Sequence, residues 1–110
     1  MDKQFVIERL AKLPDEIYSV EVEMLEAAAE VGAAKDALEI DEGKLILSGE
    51  ITGKNEAECK AQIRSLTLIG RSTVDEAERA YKEACAVYNR RVNEFRSLQA
   101  IARLIGGAES

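Results

Sequence analysis

Apolar residues recur at alternating steps of three and four through the first half of the chain: Ile17, Val20, Met24, Ala27, Val31, Ala34 and Leu38, continued in phase by Asp41, Leu45 and Ser48. That spacing holds one stripe on a single helical face, so residues 15–50 are expected to form one long, coiled-coil-like helix. At 1.5 Å per residue it would reach about 50 Å. Ahead of it, Phe5, Val6, Leu10 and Leu13 alternate with Lys3, Glu8, Arg9 and Lys12, the pattern of a short amphipathic helix over 2–12. Leu13-Pro14 is expected to separate the two, since Pro14 suits the first turn of a new helix and Asp15 and Glu16 favour its positive end.

The stretch Ser48-Gly49-Glu50-Ile51-Thr52-Gly53-Lys54-Asn55-Glu56-Ala57-Glu58 is where the helical pattern must stop and start again. Gly53 is expected to turn left-handed past the end of the long helix. Asn55 should accept the amide bond that caps the next one, with Glu58 reaching back in a capping-box arrangement. The bend is therefore put at 51–55 and a helix at 56–69. Gly70 weakens helix, and Ser72 with Asp75 offers a further cap, so a break is expected near Gly70 before a last helix over 73–105. That helix carries Val74, Ala77, Tyr81, Ala84, Tyr88, Val92, Phe95, Leu98, Ala102 and Ile105 on its apolar side, and Gly106-Gly107 should end it. The whole reads as a single all-α domain, a long helical hairpin. Two local expectations go with it: a close helix crossing at the small residues Ala27-Ala28-Ala29 and Gly32-Ala33-Ala34, and burial on two sides at Leu45-Ile46-Leu47.

Composition supports long helices, with 33% charged residues, 5% aromatics and a single proline. No apolar run approaches the roughly 20 residues that span a bilayer, so no membrane partner is expected. The opening Met1-Asp2-Lys3-Gln4-Phe5 has no apolar signal segment, and a cytoplasmic location is expected. The net charge of −6 is unevenly placed: residues 1–58 hold 15 acids and 6 bases, residues 59–110 hold 6 acids and 9 bases. Folding at the bend would lay an acidic arm on a basic one, and their mutual attraction is the first reading of that asymmetry. Otherwise the acidic arm would mimic a nucleic acid, or the basic one bind it.

Catalytic chemistry finds little support. Gly49-Glu50-Ile51-Thr52-Gly53-Lys54-Asn55 has three residues between its glycines where a phosphate-binding loop has four, and Asn55 stands where the magnesium-binding hydroxyl belongs. There is no histidine, and Cys59 and Cys85 are isolated, which argues against a metal centre or thiol catalysis. Glu23, Glu26 and Glu30 lie at helical spacing and read as a solvated face. Cys85, beside Tyr81 and Tyr88, reads as a small core residue. No cofactor is expected.

Leu45-Ile46-Leu47-Ser48-Gly49-Glu50-Ile51-Thr52-Gly53-Lys54-Asn55-Glu56-Ala57-Glu58, followed by Ala61-Gln62-Ile63-Arg64-Ser65-Leu66-Thr67 and closed by Leu98-Gln99-Ala100-Ile101-Ala102-Arg103-Leu104-Ile105, resembles a group of small helical-hairpin proteins of bacteria and their phages or prophages. The resemblance covers residues 38–105; Leu68-Ile69-Gly70 departs from it. It implies a mobile-element origin and supplies no catalytic residue. The expectation is thus a non-enzymatic accessory protein of phage or prophage type that binds protein, either a host or phage protein or copies of itself in a small homo-oligomer. Self-association is assigned to the faces Ile17–Leu38 and Val74–Ile105. The contact surface is assigned to Lys54 and Asn55 at the bend and to the acidic face Glu21–Glu42, with Glu23, Glu26 and Glu30. The alternatives are nucleic-acid binding through Arg90, Arg91, Arg96 and Arg103 as an accessory of recombination or replication, and capture of a small anionic ligand at subunit interfaces.

Overall fold

In the computed structural model, which describes residues 2–109, the protein is all-helical. Its elements are α1 (Lys3–Ser48), α2 (Glu56–Leu66) and α3 (Leu68–Glu109), and no strand occurs among the described residues. The all-α helical-hairpin class expected from the periodicity is what the chain forms. The chain divides into two compact units, Met1–Glu26 with Lys82–Ser110 and Ala27–Tyr81.

In the first unit, α1 and α3 run antiparallel, because Arg9 pairs with Glu94 and Glu16 with Arg91, so that rising numbers on one helix meet falling numbers on the other. Val6, Leu13 and Leu98 form the buried centre, flanked by Leu10, Ile17, Phe95, Ile101, Ala102 and Ile105. This cluster explains why no break occurs at Pro14, which lies inside a continuous α1. Val6, Leu10, Leu13 and Ile17 keep the same phase on both sides of the proline. The loss of one amide donor at an exposed position is outweighed by burying Leu13 completely. The expected separate helices over 2–12 and from 15 are therefore one. Asp2 starts it, accepting the Gln4 amide at 3.2 Å.

The second unit is built from the far half of α1, from α2 and from the start of α3. Here too α1 and α3 are antiparallel, with Lys35 paired to Glu78 and Glu42 to Arg71. Val74 is buried. The break between α2 and α3 falls at Thr67 rather than at Gly70. Gly70 sits inside α3, where a Cβ would come within 3.1 Å of the Leu38 side chain, so its bare backbone serves a close approach of helices and not a turn. Ser72 and Asp75 cap nothing, since α3 is already under way. The close crossing expected at the alanine-rich stretch is not made at Gly32, whose added Cβ would meet nothing within 4 Å, and Ala28, Ala29 and Ala33 are exposed. At the far end, α3 runs through Gly106 and Gly107 to Glu109. Ser110 lies outside the described residues.

Candidate interaction surface

The bend is a hydrogen-bonded loop. Gly49 ends α1 with φ +78°, in the left-handed region that favours glycine, and so takes the role expected of Gly53. Ser48 supports the exit, its hydroxyl donating to the Leu45 carbonyl at 2.8 Å and accepting from the Glu50 amide at 3.3 Å. Gly53 is needed for a different reason. A Cβ there would fall 2.6 Å from the Cys59 nitrogen and 2.8 Å from the Glu58 carbonyl carbon, so the loop lies directly on the first turn of α2. Asn55 caps that turn, its Oδ1 accepting from the Glu58 amide at 2.9 Å, and Glu58 Oε2 reaches back to accept from the Lys54 amide at 2.7 Å. The capping box thus forms, closing on Lys54. Gln62 completes the fastening: its Oε1 accepts from the amides of Thr52 at 2.9 Å and Gly53 at 2.8 Å, and its Nε2 donates to the Thr52 hydroxyl. Cys59 donates its thiol to the Gly53 carbonyl at 3.4 Å.

This fastening decides what the bend can offer a ligand. The amides of Thr52, Gly53 and Lys54 already bond to the chain's own side chains, and Glu56 and Glu58 stand beside them, which removes the donors an anion would use. Asn55 is committed through Oδ1 to capping. Lys54 remains exposed.

The elbow between α2 and α3 is held by Thr67, 5% exposed. Its hydroxyl donates to the Ile63 carbonyl at 2.7 Å and accepts from Arg71 Nε at 3.2 Å, while Arg71 Nη2 donates to Glu42 at 3.0 Å. Beside the elbow lies an open groove of about 790 Å³. Ala34, Ala37, Leu38 and Leu45 of α1 face Leu66, Leu68 and Ile69 across it. Asp41 and Lys44 lie on its α1 side, and neither has an ion partner among the described residues. Large apolar side chains stand out around it, Leu47 at 89% exposure and Ile69 at 86%. Ile46 is exposed as well, and the two-sided burial expected at Leu45-Ile46-Leu47 does not occur; Leu45 alone is half-buried.

Comparison with family models, with curated proteins and with solved structures finds no match for this chain.

The sequence-proposed contact residues divide as follows. Glu23 and Glu26 are exposed in the first unit, and Glu30 is exposed in the second. No group of three His, Cys, Asp or Glu that could hold a metal occurs among the described residues. Glu42, at the end of the proposed acidic face, is half-buried and held by Arg71. Part of the seam assigned to self-association is used inside the chain, since Ile17, Phe95, Ile101 and Ile105 cover the Val6–Leu13–Leu98 centre. Of the arginines, Arg91 pairs with Glu16 at 3.6 Å, whereas Arg90, Arg96 and Arg103 are exposed.

Charge pairing between the two arms runs in both directions. Arg9 donates to Glu94 through Nε at 3.0 Å and Nη2 at 2.9 Å, and to Glu16 through Nη1 at 2.7 Å. Arg9–Glu94 and Lys35–Glu78 join a base of the acidic arm to an acid of the basic one, opposite to the bulk trend, while Glu16–Arg91 and Glu42–Arg71 follow it. The hydrogen bond from Arg9 holds the Glu94 carboxyl below its ordinary range, and donating to Glu94 and then to Glu16 pushes the Arg9 guanidinium up. No helix among the described residues is long and apolar enough to cross a membrane. Sequence reasoning missed Thr67 and Arg71. The spacing Thr67–Arg71, one turn apart, was the available signal.

Proposed function

We propose that this chain is a non-enzymatic accessory module of phage or prophage type that works by binding protein, first of all copies of itself. The observation that carries the reading is a mismatch of apolar surface. Among the described residues twelve large apolar side chains are exposed, against four buried apolar residues, Val6, Leu13, Val74 and Leu98. Contiguous exposed apolar surface marks a place where another surface belongs. Both units expose apolar side chains: Ile7, Tyr18 and Leu25 fall on one side of α1 in the first, and the groove with its rim gathers them in the second. The phage or prophage setting rests on the resemblance of residues 38–105 alone. Light scattering of the whole chain over a rising concentration series tests the reading. The mass should climb above the 12.1 kDa of one chain, and a mass that never leaves that value refutes self-association.

A second reading, nucleic-acid binding, has one observation in its favour. Arg96 and Arg103 are exposed, lie seven residues apart on one side of α3, and have no ion partner among the described residues. A gel shift with single- and double-stranded probes at low salt, repeated with Arg96→Glu/Arg103→Glu, decides it: salt-sensitive binding lost in the variant would favour this reading over the first.

A further inference from the structure

We infer that the groove at the α2–α3 elbow is the seat of a two-fold dimer, in which it is filled by the same groove edge of a second copy. The inference rests on the self-association proposed above and gives it an address.

Three features of the groove select this occupant. The first is charge. Asp41 and Lys44 lie less than one helical turn apart on the α1 side, exposed and without ion partners among the described residues. An antiparallel copy of α1, related by a two-fold axis passing between these positions, sets Asp41 against the partner subunit's Lys44 and Lys44 against the partner subunit's Asp41. One acid and one base are sufficient for self-complementarity, because an isologous contact uses each twice.

The second is shape. The α1 wall is low at Ala34 and Ala37, which share it with Leu38, Asp41, Lys44 and Leu45, while Leu68 and Ile69 project from the opposite wall at 62% and 86% exposure. A projecting edge and a shallow wall on one molecule are what two copies need to interdigitate.

The third is area. Ile40 and Leu47, at 57% and 89% exposure, continue the α1 wall on the flank next to Ala37 and Lys44. With Leu66, Leu68 and Ile69, exposed at 56%, 62% and 86%, they supply apolar surface of the kind a standard interface buries, roughly 800 Å² per partner.

The test uses the whole chain in sedimentation equilibrium, with circular dichroism to verify helix content. Asp41→Lys and Lys44→Asp each turn two attractive contacts into two repulsive ones, so each should weaken dimerisation about tenfold. An equimolar mixture of the two variants restores both pairings and should recover dimer at close to the wild-type constant. Ile69→Lys, at a site already open to solvent, should weaken dimerisation by more than tenfold with helix content unchanged. Wild-type dimers indifferent to all three substitutions would place self-association elsewhere and overturn this inference while leaving the proposed function standing. A wild-type chain that stays monomeric at about 100 µM, well above the micromolar constants of standard-size interfaces, overturns both and leaves the groove to a different partner. Assembly into any order that is not built of dimers overturns the two-fold arrangement.

Discussion

A set of glycine-to-alanine substitutions within the second unit tests how the bend is built, because four glycines there have different surroundings. At Gly53 the added methyl would lie 2.6 Å from the Cys59 nitrogen and 3.0 Å from its sulfur. The nearest obstacle is backbone, so relief requires lifting the loop off α2. Overpacking of this kind costs about 1–3 kcal/mol. Lifting the loop also strains the two amide bonds to Gln62, each worth about 1 kcal/mol net. Gly53→Ala is therefore expected to destabilise by about 2–4 kcal/mol. Gly49→Ala meets no neighbour within 4 Å but keeps a φ of +78°, and should cost about 1–2 kcal/mol. Gly32→Ala and Gly43→Ala lie in the interior of α1 with open space around them and should stabilise by about 0.5–1 kcal/mol. Urea unfolding followed at 222 nm, at one fixed protein concentration so that association contributes equally, ranks the four. If Gly53→Ala proves no worse than Gly49→Ala, the contact between the loop and the first turn of α2 is not what makes that glycine necessary.

Three further outcomes are expected. Leu13→Ala, at a fully buried site, should cost about 2–5 kcal/mol in the same titration, whereas Leu47→Ala, almost fully exposed, should stay within about 0.5 kcal/mol when measured at concentrations too low for association. Thr67→Val removes the hydroxyl shared by the Ile63 carbonyl and Arg71 and should cost about 1–2 kcal/mol; Arg71→Ala should give a similar loss, and the double variant less than the sum, because the two lie in one network. Glu94 has its carboxyl pKa lowered from 4.5 by the bonds from Arg9, so its contribution is full above that value and is lost as pH falls through the lowered one. Thermal melts of wild type and Glu94→Gln should therefore differ most near neutrality and converge in acid, and a gap that widens on acidification would contradict the pairing.

Local chemistry was legible in the sequence wherever a few neighbouring residues decide the outcome. Asn55 and Glu58 announce a helix start at their spacing, and that cap forms with the residues expected. Where the helix boundaries depart from expectation, packing outweighs the local propensity of proline and glycine. Pro14 has a local cost, but Val6, Leu10, Leu13 and Ile17 keep one phase across it, and burial of that stripe decides the matter. Gly70 costs about 1 kcal/mol against alanine in a helix, and its bare backbone is what lets the Leu38 side chain of α1 come this close to α3. The periodic phase of apolar residues was visible in the sequence at Pro14 and would have corrected the boundary there. At Thr67 the one-turn spacing to Arg71 is a local signal, but the contact of Arg71 with Glu42 joins residues 29 apart and has no local signature.

The candidate site follows the same logic in reverse. Residues singled out for being polar at the bend, Lys54 and Asn55, are drawn into the loop's own bonding through a backbone amide and a capping carbonyl. Residues that read as a buried stretch near the tip, Ile46 and Leu47, are the ones left in solvent. Periodicity marks a helix face as apolar without stating whether the chain itself has a surface to cover it. In this chain the seam through Val6, Leu13 and Leu98 is covered internally, while the surface around Leu47, Leu68 and Ile69 is left open. An apolar rim beside Asp41 and Lys44, unpaired among the described residues, combines hydrophobic driving force with a means of selecting orientation, and that combination is the physical basis for expecting specific association instead of indiscriminate aggregation.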